Sequence, residues 1–320
     1  MYYCGLGGSG VPAKGAEVPR SEDRGDTGDA IWSYWENRPG TRRAPYLDLC
    51  LESVRTHADG LPVRVLSRDD VFEWLPDIDR SRWYGLPAPN YRSDYVRSRL
   101  LQRYGGLWID IDTVAVAPLT RLLDERDGTG MVCWGKELGR FFGGLCAATV
   151  GSPFVEEWVR RQDEALSAVT DWSSLHYAAL AQNVTWGLAR EVPWKALPMA
   201  QVCPIPWFQW RRFLSRLESP RHVLSASSVT VVLWNAVMAP ALWAVAREDL
   251  LSSRMLLGRL LRIGLGVSGM SDEEDAWTRL HPLSELRFTT TGQRVELGLR
   301  RASGALRTTL GRRREARPAR

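Results

Sequence analysis

The chain has 320 residues, 44% apolar and 25% charged, which excludes a disordered, collagen-like or coiled-coil protein and allows one large α/β domain. Its net charge of +5 first suggests a nucleic-acid partner. However, residues 300–320 hold eight arginines against one glutamate, a net of +7, so residues 1–299 carry −2 and no nucleic-acid partner is expected.

Residues 1–29 are rich in Gly, Pro and charge and read as a tail. Gly5, Gly7 and Gly10 match the dinucleotide-binding glycine spacing by letter. They have no strand before them and no helix after, so the match is rejected. No secretory leader is expected either.

From Ala30 the pattern alternates between strand and helix. AIWSYW predicts a strand. PYLDLCLESVRTH predicts a helix with Leu47, Cys50, Leu51 and Val54 on one face and Pro45 near its start. VRVL (63–66) predicts a buried strand, and Ser67 with Asp69 and Asp70 the start of a further helix. This order argues for a mostly parallel sheet flanked by helices.

The stretch YRSDYVRSRLLQRYGGLWIDIDTVAVAPL is the most informative. Ser93 suits the cap of a helix that runs to Tyr104 and ends at Gly105 and Gly106. LWI is then a short strand that delivers Asp110 and Asp112 at its carboxyl end, the edge where open α/β sheets bind ligands. MVCW (131–134), LCAATV (145–150) and VTVVLW (229–234) predict further strands, and PFVEEWVRRQDEAL an amphipathic helix. Segment 185–210, with four Trp among several Pro, predicts irregular packing. Val223 to Ala246 is uncharged over 24 residues, yet its Ser, Thr, Asn and Pro favour a buried strand and helix over a membrane span. Residues 253–266 predict an amphipathic helix with Arg254, Arg259 and Arg262. The domain expectation is 30–250 for the main fold, 251–299 for a helical or irregular extension and 300–320 for a basic tail.

Five scattered cysteines form no CxxC pair, so neither a disulfide framework nor a zinc site is expected, and a reducing, cytoplasmic setting is favoured. The fifteen tryptophans suit sugar or base stacking, but more commonly a Trp-rich core. His57, His176, His222 and His281 lie in no triad or metal-binding context, although His176 and Tyr177 could face an acceptor.

The tripeptide DID occurs twice. Asp77–Asp79 follows a proline and reads as a solvated loop. Asp110 and Asp112 follow an apolar strand, where two carboxylates on one side suit a hard divalent cation with positions left for phosphate oxygens. On context alone, two surface acids at a strand end fit equally well. Asp94 and Arg97, three apart on the preceding helix, share a face. Either they form a local ion pair, or Asp94 takes ribose hydroxyls and Arg97 a phosphate or sugar.

YRSDYVR…LLQRYGGLWIDIDT resembles the signature of glycosyltransferases with DXD sugar-binding motifs, namely glycosyltransferase family 32 and the related capsular polysaccharide synthesis proteins. IWSYWEN and VVLWN are similar to the start and end of that domain. The resemblance runs over roughly 30–240 and is densest over 91–119.

It implies a GT-A-like fold and a retaining, hexosyl-type transferase that uses a nucleotide-sugar donor, UDP-sugar favoured, with Mn²⁺ or Mg²⁺. The acceptor would be a saccharide or other hydroxyl compound, in polysaccharide or glycoconjugate synthesis. By position, Asp110 and Asp112 would hold the metal and diphosphate, Asp94 the ribose or donor sugar, and Arg97 the sugar or phosphate. Ser93 joins the donor set, Trp32 would stack on the base, and Ser33 and Tyr34 would line its pocket. Trp234 and Asn235 would complete the donor and metal site. Two departures stand out: Val232 where relatives often have His, and Gly143 or Gly144 where many have Asn.

Two other readings fit part of the pattern. WIDIDTVAV suits a haloacid-dehalogenase-type phosphatase with Asp110 as nucleophile and Asp112 as acid/base over Mg²⁺. That fold also wants a later Lys, for which only Lys136 and Lys195 exist, and an acidic pair such as Glu248–Asp249. A non-catalytic nucleotide-sugar binding module is the third reading. The basic tail and the 253–266 helix together suggest peripheral contact with an anionic membrane face.

Overall fold

The structure, a computed structural model, describes residues 29–37, 40–172 and 184–280. Gly5, Gly7 and Gly10, His176, Tyr177 and His281 lie outside the described residues, as do the basic tail and all of the N-terminal tail but Asp29. The expected alternation opens the fold as β1 (Ile31–Tyr34), α1 (Pro45–Thr56) and β2 (Val63–Leu66). Two short helices follow, α2 (Val71–Trp74) and α3 (Arg80–Gly85), then the long α4 (Pro89–Tyr104), β3 (Gly106–Ile109), β4 (Thr113–Ala115) and α5 (Thr120–Asp124). Next come β5 (Met131–Trp134), β6 (Leu145–Ala148), α6 (Pro153–Ser167), α7 (Val184–Glu191), β7 (Lys195–Leu197) and α8 (Met199–Val202). The last elements are β8 (Thr230–Val232), α9 (Asn235–Leu242), α10 (Arg247–Ser252), α11 (Leu256–Gly264) and α12 (Met270–Leu280).

Six strands form one sheet in the order β2-β1-β3-β6-β5-β7. β6 runs antiparallel to both neighbours, and the other pairings are parallel. This is the mixed, mostly parallel, helix-flanked sheet expected from the sequence. The chain steps outward from β1 to β2, then crosses back to place β3 on the other side of β1. That reversal makes a crevice at the carboxyl ends of β1 and β3, where doubly wound sheets bind ligands. The turn from α4 into β3 needs no loop, because Gly105 and Gly106 take φ of 64° and 88°.

The core is Trp-rich, with Trp32, Trp83, Trp108, Trp134 and Trp158 almost fully buried. A second cluster joins α1, β4 and α11, so residues placed in the extension by sequence pack into the domain itself. Cys50, Cys133, Cys146 and Cys203 are buried free thiols.

Some expectations are corrected. Ser93 caps nothing: α4 starts four residues earlier at Pro89, whose fixed φ suits a first helical turn. Ser67 does not cap α2 either, and its N–H instead donates to Asp70 Oδ2 at 2.8 Å. Segment 185–210 is more regular than expected, since it holds α7 and the sheet-edge strand β7, paired to β5. The strand at 229–234 lies outside the main sheet and pairs with β4 in a two-stranded ribbon.

The helix at 253–266 is no free amphipathic surface. Arg259 on α11 is 2% exposed and binds the carbonyls of Arg254 and Glu273, each at 3.1 Å. Arg262 clasps the Glu273 carboxylate with both arms at 2.7 Å. Among the described residues, no helix is long and apolar enough to cross a membrane. Val223–Ala246 divides into β8 and α9, as the sequence suggested. Of the first DID, Asp79 caps α3 through the Ser81 and Arg82 N–H groups, and Asp77 pairs with Arg103 on the surface.

Candidate active site

β3 ends at Ile109, and Asp110 and Asp112 emerge from its carboxyl end into one cavity of about 280 Å³. Asp110 is held from two sides: Arg97 Nη2 and Trp108 Nε1 both donate to its Oδ1 at 2.8 Å. Arg97 reaches back to Asp94 Oδ1 at 2.9 Å, one turn earlier on α4. The helical spacing read from the sequence therefore becomes a chain of charge, Asp94–Arg97–Asp110, in which Asp94 and Arg97 are buried. Asp94 and Arg97 form the local ion pair, and Arg97 also reaches the acidic strand end at Asp110.

The β4–β8 ribbon brings the late segment to Asp112. Leu233 N donates to the Asp112 carbonyl at 2.8 Å, and Asn235 N to Asp112 Oδ2 at 2.6 Å. Trp234 stands between them in the left-handed region, φ 61° and ψ 64°, a costly conformation for a bulky residue. Its indole is anchored on the Ile205 carbonyl at 2.8 Å and lines the cavity against Trp134 and Phe142. The strain serves to turn the chain so that the first N–H of α9 meets Asp112.

Asn235 does not line the cavity, and the structure gives it a positioning part beside Asp112. Its Oδ1 accepts the hydroxyl of Tyr46, a buried residue of α1 that the sequence analysis did not single out. Gln162 on α6 was also missed; it lines the cavity and donates to the Asp94 carbonyl at 3.1 Å. Both are single polar residues inside apolar helix faces, a pattern without a local signature.

Trp32, Ser33 and Tyr34 are not brought to the cavity. Trp32 is fully buried, donates to the Gly105 carbonyl at 3.0 Å and packs edge-on against Trp74 with centroids 5.1 Å apart. It has no open face for a base, so the stacking role is corrected. Ser33 is buried in the strand, and Tyr34 is buried with its hydroxyl on Glu36, which Arg92 clamps with both arms. Ser93 is half-buried within α4 and does not line the cavity.

Burial and the neighbouring Asp110 push the Asp112 carboxyl up to about 6. Burial and the Asp112 charge likewise push the Tyr46 phenol up. Two neighbouring carboxylates with an all-oxygen donor set fit a hard divalent cation. Among the described residues no group of three or more His, Cys, Asp and Glu exists to cage one, so such an ion would keep positions open for other oxygen ligands.

The glycines opposite explain one departure from the family pattern. A Cβ on Gly144 would lie 2.6 Å from Asp110 Oδ2, and one on Gly143 2.7 Å from Arg97 Nη1. No Asn fits at either place while this ion-pair chain stands. Gly144→Ala is expected to displace the Asp110 carboxylate and weaken divalent-cation binding by about tenfold or more while leaving the fold intact. Mn²⁺ titration followed by a thermal melt of the same sample checks this.

The phosphatase reading finds no support in the geometry. Lys195 is paired to Glu125 at 2.9 Å on the sheet edge, and neither it nor Lys136 lines the cavity of Asp110. Glu248 and Asp249 are exposed in the first turn of α10.

Fold and site together define a class: a mixed, mostly parallel α/β domain with an Asp-x-Asp strand end. Residues 15–127 match the family model of the capsular polysaccharide synthesis proteins, which bears out over that stretch the resemblance seen in the sequence. Among solved structures, the chain is similar to the WbbM bifunctional glycosyltransferase, with 12% identity over 79% of this chain and 52% of that one, TM-score 0.43. It is also similar to GlyE of Streptococcus pneumoniae TIGR4, with 12% identity over 79% and 63%, TM-score 0.41. A third is the galactosyltransferase LgtC in complex with donor and acceptor sugar analogs, with 14% identity over 69% and 98%, TM-score 0.35. The chain spans about half the length of the WbbM chain. No curated protein sequence matches it.

Proposed function

We propose that the protein is a metal-dependent glycosyltransferase that moves a sugar from a nucleotide-sugar donor, UDP-sugar favoured, to a saccharide hydroxyl in polysaccharide synthesis. The observation that carries this reading is the pair Asp110 and Asp112 at the carboxyl end of β3, in one cavity with the buried Asp94–Arg97 pair. The match of residues 15–127 supports the same reading.

Asp110 and Asp112 would hold Mn²⁺ or Mg²⁺. A bound divalent ion supplies Lewis-acid stabilisation of the charge that develops on a departing diphosphate. The chain's own part is positioning. Arg97 holds Asp110 in place and sets its positive charge beside the sugar or phosphate, and Asp94 fixes the Arg97 fork. Asn235 N–H and the Leu233 N–H lock the Asp112 side chain and backbone, so little reorganisation is left for the reacting complex. Trp134, Trp158 and Trp234 wall the cavity with apolar faces suited to a sugar ring.

Among the described residues, the carboxylates that line the cavity are Asp94, Asp110 and Asp112. Asp94 is tied to Arg97, and the other two are assigned to the ion, so none stands ready as a nucleophile. The retaining, same-face route that the resemblance implies needs neither a carboxylate nucleophile nor a strong protein base, because the leaving phosphate takes the acceptor proton.

The test is a panel of UDP-, GDP- and TDP-sugars with Mn²⁺, followed by nucleotide release with and without EDTA. Release from one donor class that EDTA stops is the expected result. Turnover of simple phosphate esters without nucleotide binding would overturn the reading, and donor binding without release would point to a binding module instead.

A further inference from the structure

Resting on the glycosyltransferase reading of this site, we propose that the acceptor is an anionic saccharide, one that carries carboxylate or phosphate groups. The cavity at Asp110 does not end at its aromatic wall. Arg140, Phe141 and Trp186 line it and also line a second groove of about 480 Å³, so the two adjoin. An acceptor whose hydroxyl reaches the Asp110 end would lay the rest of its length along this groove.

The groove carries three cations: Lys136 and Arg140 on the turn after β5, and Arg190 in the last turn of α7. All three are exposed, and none is ion-paired to a carboxylate among the described residues. Among the described residues, Glu191 is the one carboxylate in its lining, and it is neutralised by Arg161, which also binds Glu157 at 2.7 Å. The nearby Glu137 is turned away, accepting the Met199 N–H at 3.0 Å. The groove therefore keeps an excess of positive charge, although residues 1–299 as a whole are net negative.

Lone surface cations are common, but these stand on a rigid aromatic floor. Phe142 stacks on Trp134 with centroids 4.5 Å apart and planes at 15°, and Phe141 stacks on Phe154 at 5.0 Å. Trp194 meets Phe141 edge-on at 5.4 Å and is pinned by its N–H on the Ala189 carbonyl at 3.0 Å. The Arg140 guanidinium lies 4.8 Å over Trp186. The turn that presents Lys136 and Arg140 is therefore held in place before any ligand arrives, which lowers the ordering cost of binding. Aromatic faces for sugar rings, with unpaired cations between them, are the chemistry that recognises an acidic saccharide. The acidic strand end repels such charges and so orients the acceptor, neutral hydroxyl inward and anions along the groove.

The test is calorimetric titration of the full chain with two matched pairs of probes. One pair is tetragalacturonate against neutral maltotetraose, and the other is phosphorylated mannopentaose against neutral mannopentaose. At low salt the anionic member of at least one pair should bind about tenfold tighter, the size three exposed ion pairs reach together. The pair that shows the gain identifies the anion, and high salt should remove the gain. The double variant Lys136→Gln/Arg190→Gln, with an unchanged thermal midpoint, should lose most of it. Equal binding within both pairs, no binding by either anion, or a preference that survives high salt would overturn the proposal. A separate titration with UDP and Mn²⁺ reports the donor site, so a failure of the glycosyltransferase reading is told apart from a failure of this one.

Discussion

Asp112→Asn is expected to abolish metal-dependent nucleotide release, with a loss well beyond the roughly 100-fold that removal of an outer partner of a metal costs. The fold should survive, because Asn keeps the oxygen that accepts the Asn235 N–H. The metal-free proteins should also differ in pH dependence. In the folded wild type the Asp112 carboxyl is pushed up to about 6 by burial and Asp110, from an ordinary value of 3.8. Between those values the folded protein binds more protons than the unfolded chain, so this residue's contribution to stability declines as pH rises through the window. Asp112→Asn removes that slope. Divalent-ion affinity runs the other way, because the ion needs the carboxylate, and it should fall as pH drops below about 6. Urea unfolding across pH with and without Mn²⁺ measures both. An active Asp112→Asn enzyme would refute the assignment of Asp112 to the ion.

Arg97→Ala should be the most destabilising single change at the site. It leaves Asp94 buried and Asp110 half-exposed with no cation between them, and removal of one partner of a buried pair costs about 3–5 kcal/mol. For a domain of this size that lowers the thermal midpoint by roughly 10 °C. Arg97→Lys keeps the charge but loses the planar fork that spans two carboxylates, so an intermediate loss is expected. Arg103→Ala is the control: its pair with Asp77 is exposed, and its loss should be barely measurable. Equal midpoints for Arg97→Ala and Arg103→Ala would show that the Asp94–Arg97–Asp110 chain does not brace the site.

The two variants separate the parts of the site that sequence alone makes legible. Asp110 and Asp112 could be found because an apolar strand runs straight into them, and Asp94 and Arg97 because helical spacing puts them on one face. Tyr46 and Gln162 could not, since each is a lone polar residue whose partner lies far along the chain, at Asn235 and at Asp94. The stacking role of Trp32 came from the family resemblance alone, and the local pattern could not check it. All four residues of β1 are buried, so the strand has no polar alternation to show which way each side chain points.

Local chemistry in the sequence was enough to determine the α/β alternation, the helix starts at Pro45 and Pro153, the Gly105–Gly106 turn and the acidic strand end. Each of these depends on neighbours within a few residues. Tertiary structure alone decided that β8 leaves the main sheet for β4, that β7 completes the sheet edge, and that Arg259 is buried rather than free to meet a membrane. These outcomes depend on hydrogen-bond partners 14 to more than 100 residues away. A three-residue strand carries no periodic signal of its own. It becomes a strand only when a distant edge offers it a ladder of backbone hydrogen bonds.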